Sequence, residues 1–159
     1  MVVPPAIALG LFSQSIFVGG NIAVSAVAMP ALRKTNTPAD VQQRQWEVLY
    51  DNGSKIYATC SLISGISYFY AAYNNAVDDH HFKILLFAGA TAISAVPVTV
   101  IAIAPTVKKI KGLAGISNAE EAEQKGVGAL IDKWGFLSFV RWSISATGLA
   151  TYFYYLTQH

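Results

Sequence analysis

Polar side chains recur along one face of the first long apolar segment of the chain. Gln14, Asn21 and Ser25 are seven and four residues apart, so a helix places all three on the same side. Amide and hydroxyl groups in an apolar helix need hydrogen-bond partners. They serve either hydrogen bonding and close packing between helices or the lining of a cavity that receives a polar substrate group. The spacing alone leaves both interpretations open.

A second stripe of side chains with possible chemistry lies near the end of the chain. Trp134 and Arg141 are seven residues apart, which is two helical turns on one face. If Arg141 faces inward, its guanidinium is a permanent cation for a phenolate or another anionic substrate group. If it faces outward, it extends along the helix toward lipid phosphates.

Two adjacent histidines are candidates for acid–base chemistry. His80 and His81 follow Asp78 and Asp79 in a short polar segment. Adjacent residues on a regular helix point in different directions, so the histidines cannot chelate one metal ion without irregular backbone. Together with the acids they are candidates for a base or a cation site, and a solvated turn is the alternative.

Several classes of site are excluded by the residues that are absent. With Cys60 as the single cysteine, the chain can form no intrachain disulfide, no cysteine-based zinc site and no redox-active thiol pair. The sequence has no glycine-rich nucleotide motif, no P-loop, no HExxH and no GxSxG. The net charge of +2 is too small to indicate a nucleic-acid partner.

The composition indicates that membrane helices position these side chains. Of the 159 residues, 53% are hydrophobic and 13% are charged, about half the charged fraction of an ordinary soluble domain. Four charge-poor segments approach or exceed the roughly 20 residues that cross a bilayer as a helix. We predict a single all-α domain over residues 1–159, an integral membrane bundle of four transmembrane helices at approximately 6–32, 55–77, 84–107 and 133–157.

The basic residues predict the orientation of the bundle. Of the eleven Lys and Arg residues, only Lys83 lies in the connection after the second segment. The others lie in the connections after the first and third segments, with Arg141 at the far edge. The positive-inside rule places those two connections in the cytosol and both termini on the non-cytosolic side. The first segment lacks a basic leader and is too long for a signal-peptide core, so we expect it to be retained.

Two further features bear on the shape of the site. Trp46 and Tyr50 lie on the apolar side of a predicted cytosolic helix, and Asp51 to Ser54 offers a break before the second transmembrane helix. The alternative is that Trp46 and Tyr50 begin a longer second helix. Pro97 predicts a kink in the third helix, which frees a carbonyl and makes room for a ligand.

Several short motifs spread over nearly the whole chain resemble those of the anthrone oxygenase family. They are the segment from Gly20 to Ser25 leading to Pro30, Trp46 with Tyr50 and Gly53, Pro97-Val98-Thr99 with Pro105-Thr106, and Trp134 followed by Arg141. One position departs from the pattern, because Val107 stands where we expect an asparagine in the family.

The resemblance implies a small four-helix membrane protein of fungal polyketide biosynthesis, in the endoplasmic reticulum membrane if the protein is fungal. Such a protein acts as a monooxygenase that oxidises an anthrone to an anthraquinone with dioxygen as co-substrate. Removal of a methylene proton gives an electron-rich anion that reduces dioxygen directly, and the peroxide formed loses water. This chemistry needs a base, a partner for the developing oxyanion and a flat apolar slot, without a bound metal, haem or flavin.

The chain contains candidates for each role in this chemistry. The candidate bases are His80, His81 and Tyr50, and the candidate oxyanion partners are Arg141 and Asn21. The candidate substrate-binding residues are Gln14, Ser25, Trp46, Thr99 and Trp134. The predicted topology separates the two histidines from Trp46, Trp134 and Arg141 by about a bilayer thickness, so one small site cannot use both groups. We favour the cytosolic-side group, because it contains the residues that match the family.

Two alternatives to this reading stay open. A metal ion held by His80 and His81 is the alternative to a cofactor-free site. A non-catalytic membrane subunit or scaffold that packs against a larger partner is the alternative function. A transporter is poorly supported, because only Arg141 brings a charge near the membrane interior. The expected partners are the lipid bilayer and a flat aromatic polyketide, and a second copy of the chain is a further candidate.

Overall fold

The computed structural model describes residues 3–34 and 37–158, and all regular secondary structure within these ranges is helical. Two five-residue π-helical segments, Val24–Ala28 and Thr99–Ile103, join α1 to α2 and α5 to α6. The all-α prediction is therefore confirmed. The α-helices are α1 Pro5–Ala23, α2 Met29–Lys34, α3 Ala39–Asn75, α4 Asp79–Ile93, α5 Ala95–Val98, α6 Ala104–Lys111, α7 Ala119–Gln124 and α8 Val127–Gln158.

These helices form four long rods. The first rod is α1 with α2, the second is α3, the third runs from α4 through α6, and the fourth is α8. The first and third rods each pack against both the second and the fourth, which closes a four-membered bundle. Neighbouring rods run antiparallel. For example, the Ser64 hydroxyl donates to the Gly10 carbonyl at 3.0 Å, and further along the same pair of rods Phe17 meets Tyr57 edge to face.

The two ends of the bundle differ in their side chains. At the basic end the first and third rods finish and the second and fourth begin. Two ion pairs join the rods there, from Arg33 to Asp132 at 2.8 Å and from Lys111 to Asp51 at 2.6 Å. At the other end, called the histidine end here, the second rod finishes at Asn75 and the third begins at Asp79. Each rod therefore runs from one end of the bundle to the other and contributes side chains to both ends.

Each of the four rods begins earlier than predicted. The second begins at Ala39 and runs unbroken through 51–54, so the alternative of one longer helix is correct. The third begins at Asp79, because the Asp78 carboxylate caps it by accepting a hydrogen bond from the His81 amide at 2.7 Å. The fourth begins at Val127, directly after Gly126, whose φ of +72° ends α7.

Each π segment ends two residues before a proline. Val24–Ala28 is followed by Pro30, and Thr99–Ile103 is followed by Pro105. Proline has no amide hydrogen and its ring crowds the carbonyl four residues earlier, so the ordinary helical hydrogen bond cannot close there. The helix widens by one residue instead of breaking. Both widened segments border the cavity described below.

The apolar core divides into three clusters along the bundle axis. The basic-end cluster includes Trp46 and Trp134, and the histidine-end cluster includes Tyr68 and Tyr152. The middle cluster is the smallest and is built on Phe17, Val18 and Ala95. A cavity is therefore most easily accommodated beside the middle cluster.

Two of the described helices are long and apolar enough to cross a membrane by length and composition. They are Pro5–Arg33 and Asp79–Lys111. Large apolar side chains on these rods point away from the bundle, among them Phe12 and Ile101. Two candidate spans and an apolar exterior are weak evidence for membrane association, and the four-span topology stays a prediction.

Candidate active site

A cavity of about 210 Å³ lies among the four rods. It is bordered by Phe17 and Ala95 of the middle cluster and by Val24 and Trp134 of the basic-end cluster. The second rod contributes the largest share of the lining, through positions three and four residues apart on one helical face. The lining residues are Phe17, Asn21, Val24, Leu49, Tyr50, Gly53, Ser54, Tyr57, Ala58, Ser61, Ala95, Val96, Thr99, Val100, Trp134 and Arg141.

Arg141 is the charged group of this cavity, and neutral side chains fix its orientation. One terminal nitrogen donates to the Thr99 hydroxyl at 3.0 Å, and the other donates to the Asn21 side-chain oxygen at 2.9 Å. Asn21 in turn donates to the Phe17 carbonyl at 2.7 Å, and Thr99 donates to the Ala95 carbonyl at 2.6 Å. Arg141 belongs to the fourth rod, and its guanidinium is thus hydrogen-bonded to the first and third rods.

The positive charge of Arg141 has no acidic partner among the residues that the structure describes. No Asp or Glu lines the cavity, and the ion pairs present lie elsewhere. The Nε atom is buried and also without a partner in the described ranges. A guanidinium has five N–H donors, of which two are used by Thr99 and Asn21. The arrangement therefore offers a positive charge and unused donors beside an apolar space, which suits an anion.

Hydroxyl groups of the second rod line the same cavity as the guanidinium. Tyr50, Ser54 and Tyr57 line the cavity, and their hydroxyls form no hydrogen bond within the described part of the chain. Both tyrosine hydroxyls interact electrostatically with the Arg141 guanidinium. The Tyr57 ring is held edge to face on Phe17 at a centroid distance of 6.4 Å. These hydroxyls are free to exchange hydrogen bonds or protons with a bound molecule.

Stacked aromatic rings close the cavity toward the basic end. Trp46 stacks on Tyr50 at a centroid distance of 5.3 Å and meets Trp134 edge to face at 5.6 Å. The Lys111 ammonium lies 5.4 Å from the centre of the Tyr50 ring and also forms the ion pair with Asp51. Trp46 itself is fully buried behind Tyr50 and Trp134 and does not line the cavity.

Two of the predicted substrate-binding residues have structural partners outside the cavity. The Gln14 amide donates to the Ser145 carbonyl at 2.9 Å and to its hydroxyl at 3.2 Å. The Ser25 hydroxyl accepts from the Trp142 indole at 3.1 Å. Both contacts join the first and fourth rods, so these residues follow the interhelical alternative that the sequence left open. Asn21, on the same face, is the one that reaches the cavity.

The two histidines lie at the opposite end of the bundle from Arg141. His81 is buried, with its Nε2 3.1 Å from the Tyr152 hydroxyl and its ring stacked on Tyr155 at 4.8 Å. The hydrogen bond from the His81 amide holds the pKa of the Asp78 carboxyl below its usual value. His80 is exposed. Neither histidine lines the cavity, so the structure does not bring them together with the guanidinium.

Some lining residues were not singled out by sequence reasoning. Tyr57, Ser54 and Ser61 were missed because the second rod was divided in two at residues 51–54. The signal is nevertheless present, since Tyr57 follows Tyr50 by seven residues and Ser61 follows Ser54 by seven. One unbroken helix places all four on a single face.

Within residues 3–34 and 37–158, no three His, Cys, Asp or Glu side chains come together as metal ligands would. The expectation that the protein needs no metal stays a prediction.

Comparison with known proteins gives two matches. The family model for anthrone oxygenase matches residues 46–151, which include Tyr50, Thr99, Trp134 and Arg141. The protein named anthrone oxygenase AgnL2 from Paecilomyces divaricatus is 26% identical over 138 residues, covering 84% of this chain and 84% of that protein. No solved structure matches the chain.

Proposed function

The chain belongs to the anthrone oxygenase family, a family of oxidoreductases, and we propose that it oxidises an anthrone to an anthraquinone with dioxygen in the cavity around Arg141. The single observation that carries the proposal is the guanidinium without an acidic partner beside an apolar, aromatic-walled space. Removing a methylene proton from an anthrone produces an oxyanion on the facing ring oxygen. Arg141 supplies the charge and the donors for that oxygen.

The proposed reaction balances without another reductant. A base removes one methylene proton, and the resulting anion transfers electrons to dioxygen and forms a carbon–oxygen bond. The hydroperoxide then loses water, so the methylene carbon becomes a carbonyl. One oxygen atom enters the quinone and the other leaves as water. The four electrons that the methylene gives up equal the four that dioxygen accepts, so we propose that no metal, haem or flavin takes part.

Tyrosine hydroxyls are the proposed proton acceptors. Tyr50 and Tyr57 both line the cavity and both interact electrostatically with the Arg141 guanidinium. A general base must lie within hydrogen-bond reach of the proton that it removes, and both hydroxyls border the space that the substrate would fill. Asn21 and Thr99 act as positioning residues, because they fix the guanidinium and have no need to touch the substrate. Trp134 and Tyr50 provide flat walls for an aromatic ring system.

The protein is proposed to work inside a membrane, with the basic end in the cytosol. Two helices of sufficient length and the placement of nearly all basic residues at one end support this. If the protein is fungal, that membrane is the endoplasmic reticulum. The topology is tested with single cysteines at Asn74 and Lys109, which are exposed at opposite ends. In intact membranes they should react from opposite sides, and reaction of both from one side would refute the topology.

An oxygen-consumption assay tests the function itself. The full-length protein in detergent is mixed aerobically with an anthrone that carries free phenolic hydroxyls, and quinone absorbance and dioxygen uptake are recorded together. We expect one quinone per dioxygen at a rate well above a detergent-only blank. A rate equal to the blank would refute the enzymatic proposal and favour the non-catalytic membrane subunit.

A further inference from the structure

Two exposed residues on neighbouring rods line the cavity around Arg141. Of its lining residues, only Ala58 on the second rod and Val100 on the third are exposed. All the others are buried or half-buried. Building on the proposed function, we propose that the aromatic substrate enters, and the quinone leaves, sideways from the lipid through a window between Ala58 and Val100.

Two contacts pin the rods together on either side of this window. Toward the histidine end, the Ser61 hydroxyl donates to the Ala92 carbonyl at 2.7 Å. Toward the basic end, Lys111 pairs with Asp51 at 2.6 Å. Between these contacts the second rod covers ten residues, about 15 Å, whereas the third covers nineteen, about 28 Å. The extended side chains of Lys111 and Asp51 span part of this difference. The rest is taken up where the third rod, which contacts α3 along α5, bends or tilts away beyond it, in the stretch that contains the π segment Thr99–Ile103.

The window has the chemistry of a lipid-facing opening. Its edges are the small or apolar side chains of Ala58, Val96 and Val100, and no charged side chain borders it among the lining residues. Val100 lies seven residues, about 10 Å of helix, inside the predicted membrane boundary at residue 107. Its neighbour Ile101 is 76% exposed, as a lipid-facing residue is. A flat apolar molecule dissolved in the bilayer reaches this opening without passing through water.

A route from the aqueous basic end is closed by packed aromatic rings. Trp46 is fully buried, and Trp134 is 6% exposed. Their edge-to-face contact, with Tyr50 stacked on Trp46, packs three aromatic rings against one another at the basic end of the cavity. A rigid tricyclic substrate cannot pass these rings without disrupting the core cluster. The window is therefore the path that leaves the packing intact.

The test blocks the window after the protein has folded. In a Cys60→Ser background, Val100→Cys is reconstituted in lipid nanodiscs and then capped with a bulky alkyl methanethiosulfonate. Ile101→Cys is the matched control, because it is adjacent and exposed but does not line the cavity. Capping should lower kcat/KM for the anthrone at least tenfold for Val100→Cys, leave Ile101→Cys within twofold, and be reversed by a thiol reductant. Equal behaviour of the two capped variants would overturn the window.

A binding measurement separates failure of the window from failure of the proposed reaction. The rate at which the reagent modifies each introduced thiol is compared with and without saturating anthraquinone. Bound quinone should slow modification at position 100 at least threefold and leave position 101 unchanged, whether or not the protein turns over. Absence of protection at position 100 would overturn the window, whereas protection without any oxidation would overturn only the proposed reaction.

Discussion

Replacement of Arg141 by glutamine should abolish most of the activity while the bundle stays folded. The guanidinium gives two of its five donors to Thr99 and Asn21, and the remaining donors and the charge are left for the substrate oxyanion. Loss of one oxyanion donor costs about 2.7–4 kcal/mol in other enzymes, which is roughly 10²- to 10³-fold in kcat. Because Arg141→Gln removes the charge as well, we expect a loss at or above the upper end of that range.

Lysine at the same position separates charge from geometry. Arg141→Lys keeps the positive charge, but an ammonium cannot hold both Thr99 and Asn21 in the planar arrangement of the guanidinium and still present a donor to the substrate. The lost charge-assisted hydrogen bond corresponds to about 1.5–3 kcal/mol, so turnover should fall roughly 10- to 100-fold. The lysine variant should therefore lie between the wild type and Arg141→Gln.

Protein stability should change much less than activity in these variants. Glutamine leaves the Asn21 oxygen and the Thr99 hydroxyl short of one donor each, which costs about 1–3 kcal/mol per unsatisfied group. The same substitution removes a partly buried cation that has no acidic partner in the described residues, which offsets part of that cost. We therefore expect a folded, monodisperse protein with a modest change in Tm.

The measurement is aerobic turnover of a phenolic anthrone, with the spontaneous rate in detergent subtracted and Tm recorded on the same samples. Arg44→Gln is the matched control, since Arg44 forms a surface ion pair with Asp40 and does not line the cavity. It should retain wild-type turnover. Turnover of Arg141→Gln within twofold of the wild type, with normal Tm, would refute the role of the guanidinium.

Three further predictions concern the base, the packing of the second rod and the cofactor. If Tyr50 or Tyr57 is the base, one of the two phenylalanine variants should lose roughly 10²-fold or more in kcat, and full activity of both variants would exclude a tyrosine base. A Cβ at Gly20 would lie 2.7 Å from the Tyr57 hydroxyl oxygen, whereas one at Gly19 meets nothing within 4 Å. Overpacking costs about 1–3 kcal/mol of folding free energy, so Gly20→Ala should lower both Tm and turnover. Gly19→Ala should lower neither, and equal effects of the two substitutions would contradict this packing. Dialysis against a chelator should leave turnover unchanged, and loss of activity that stoichiometric metal restores would show that a metal takes part.

Much of the candidate site was predictable from residue type and helical spacing. Asn21, Tyr50, Thr99, Trp134 and Arg141 were all singled out, and all five line one cavity. Their prediction was possible because polar side chains in an apolar segment are expensive unless they have a partner or a function. The separation of this group from the histidines depended on the direction in which consecutive helices cross the bundle, and the preference for it depended on the residues that match the family.

The helix ends were less predictable, because local signals competed with packing. Asp51 to Ser54 has the composition of a turn, yet α3 runs through it without interruption. Asp51 pairs with Lys111 on another rod, and Gly53 lies where its missing Cβ would be 3.0 Å from the Tyr57 ring. The ion pair joins residues that are distant in sequence, and the Tyr57 ring lies beside Gly53 one turn along the same helix. Local helix propensity takes neither contact into account.

By itself, the sequence determined which residues share a helical face, since that follows from 3.6 residues per turn. It therefore placed Gln14, Asn21 and Ser25 together on one side of the first rod. Only the tertiary structure decided that Gln14 bonds to Ser145, that Ser25 bonds to Trp142 and that Asn21 alone reaches the cavity. Helical periodicity fixes the direction in which a side chain points around the axis of its helix. The partner opposite it depends on the axial offset of neighbouring rods, which is set by packing across the whole bundle.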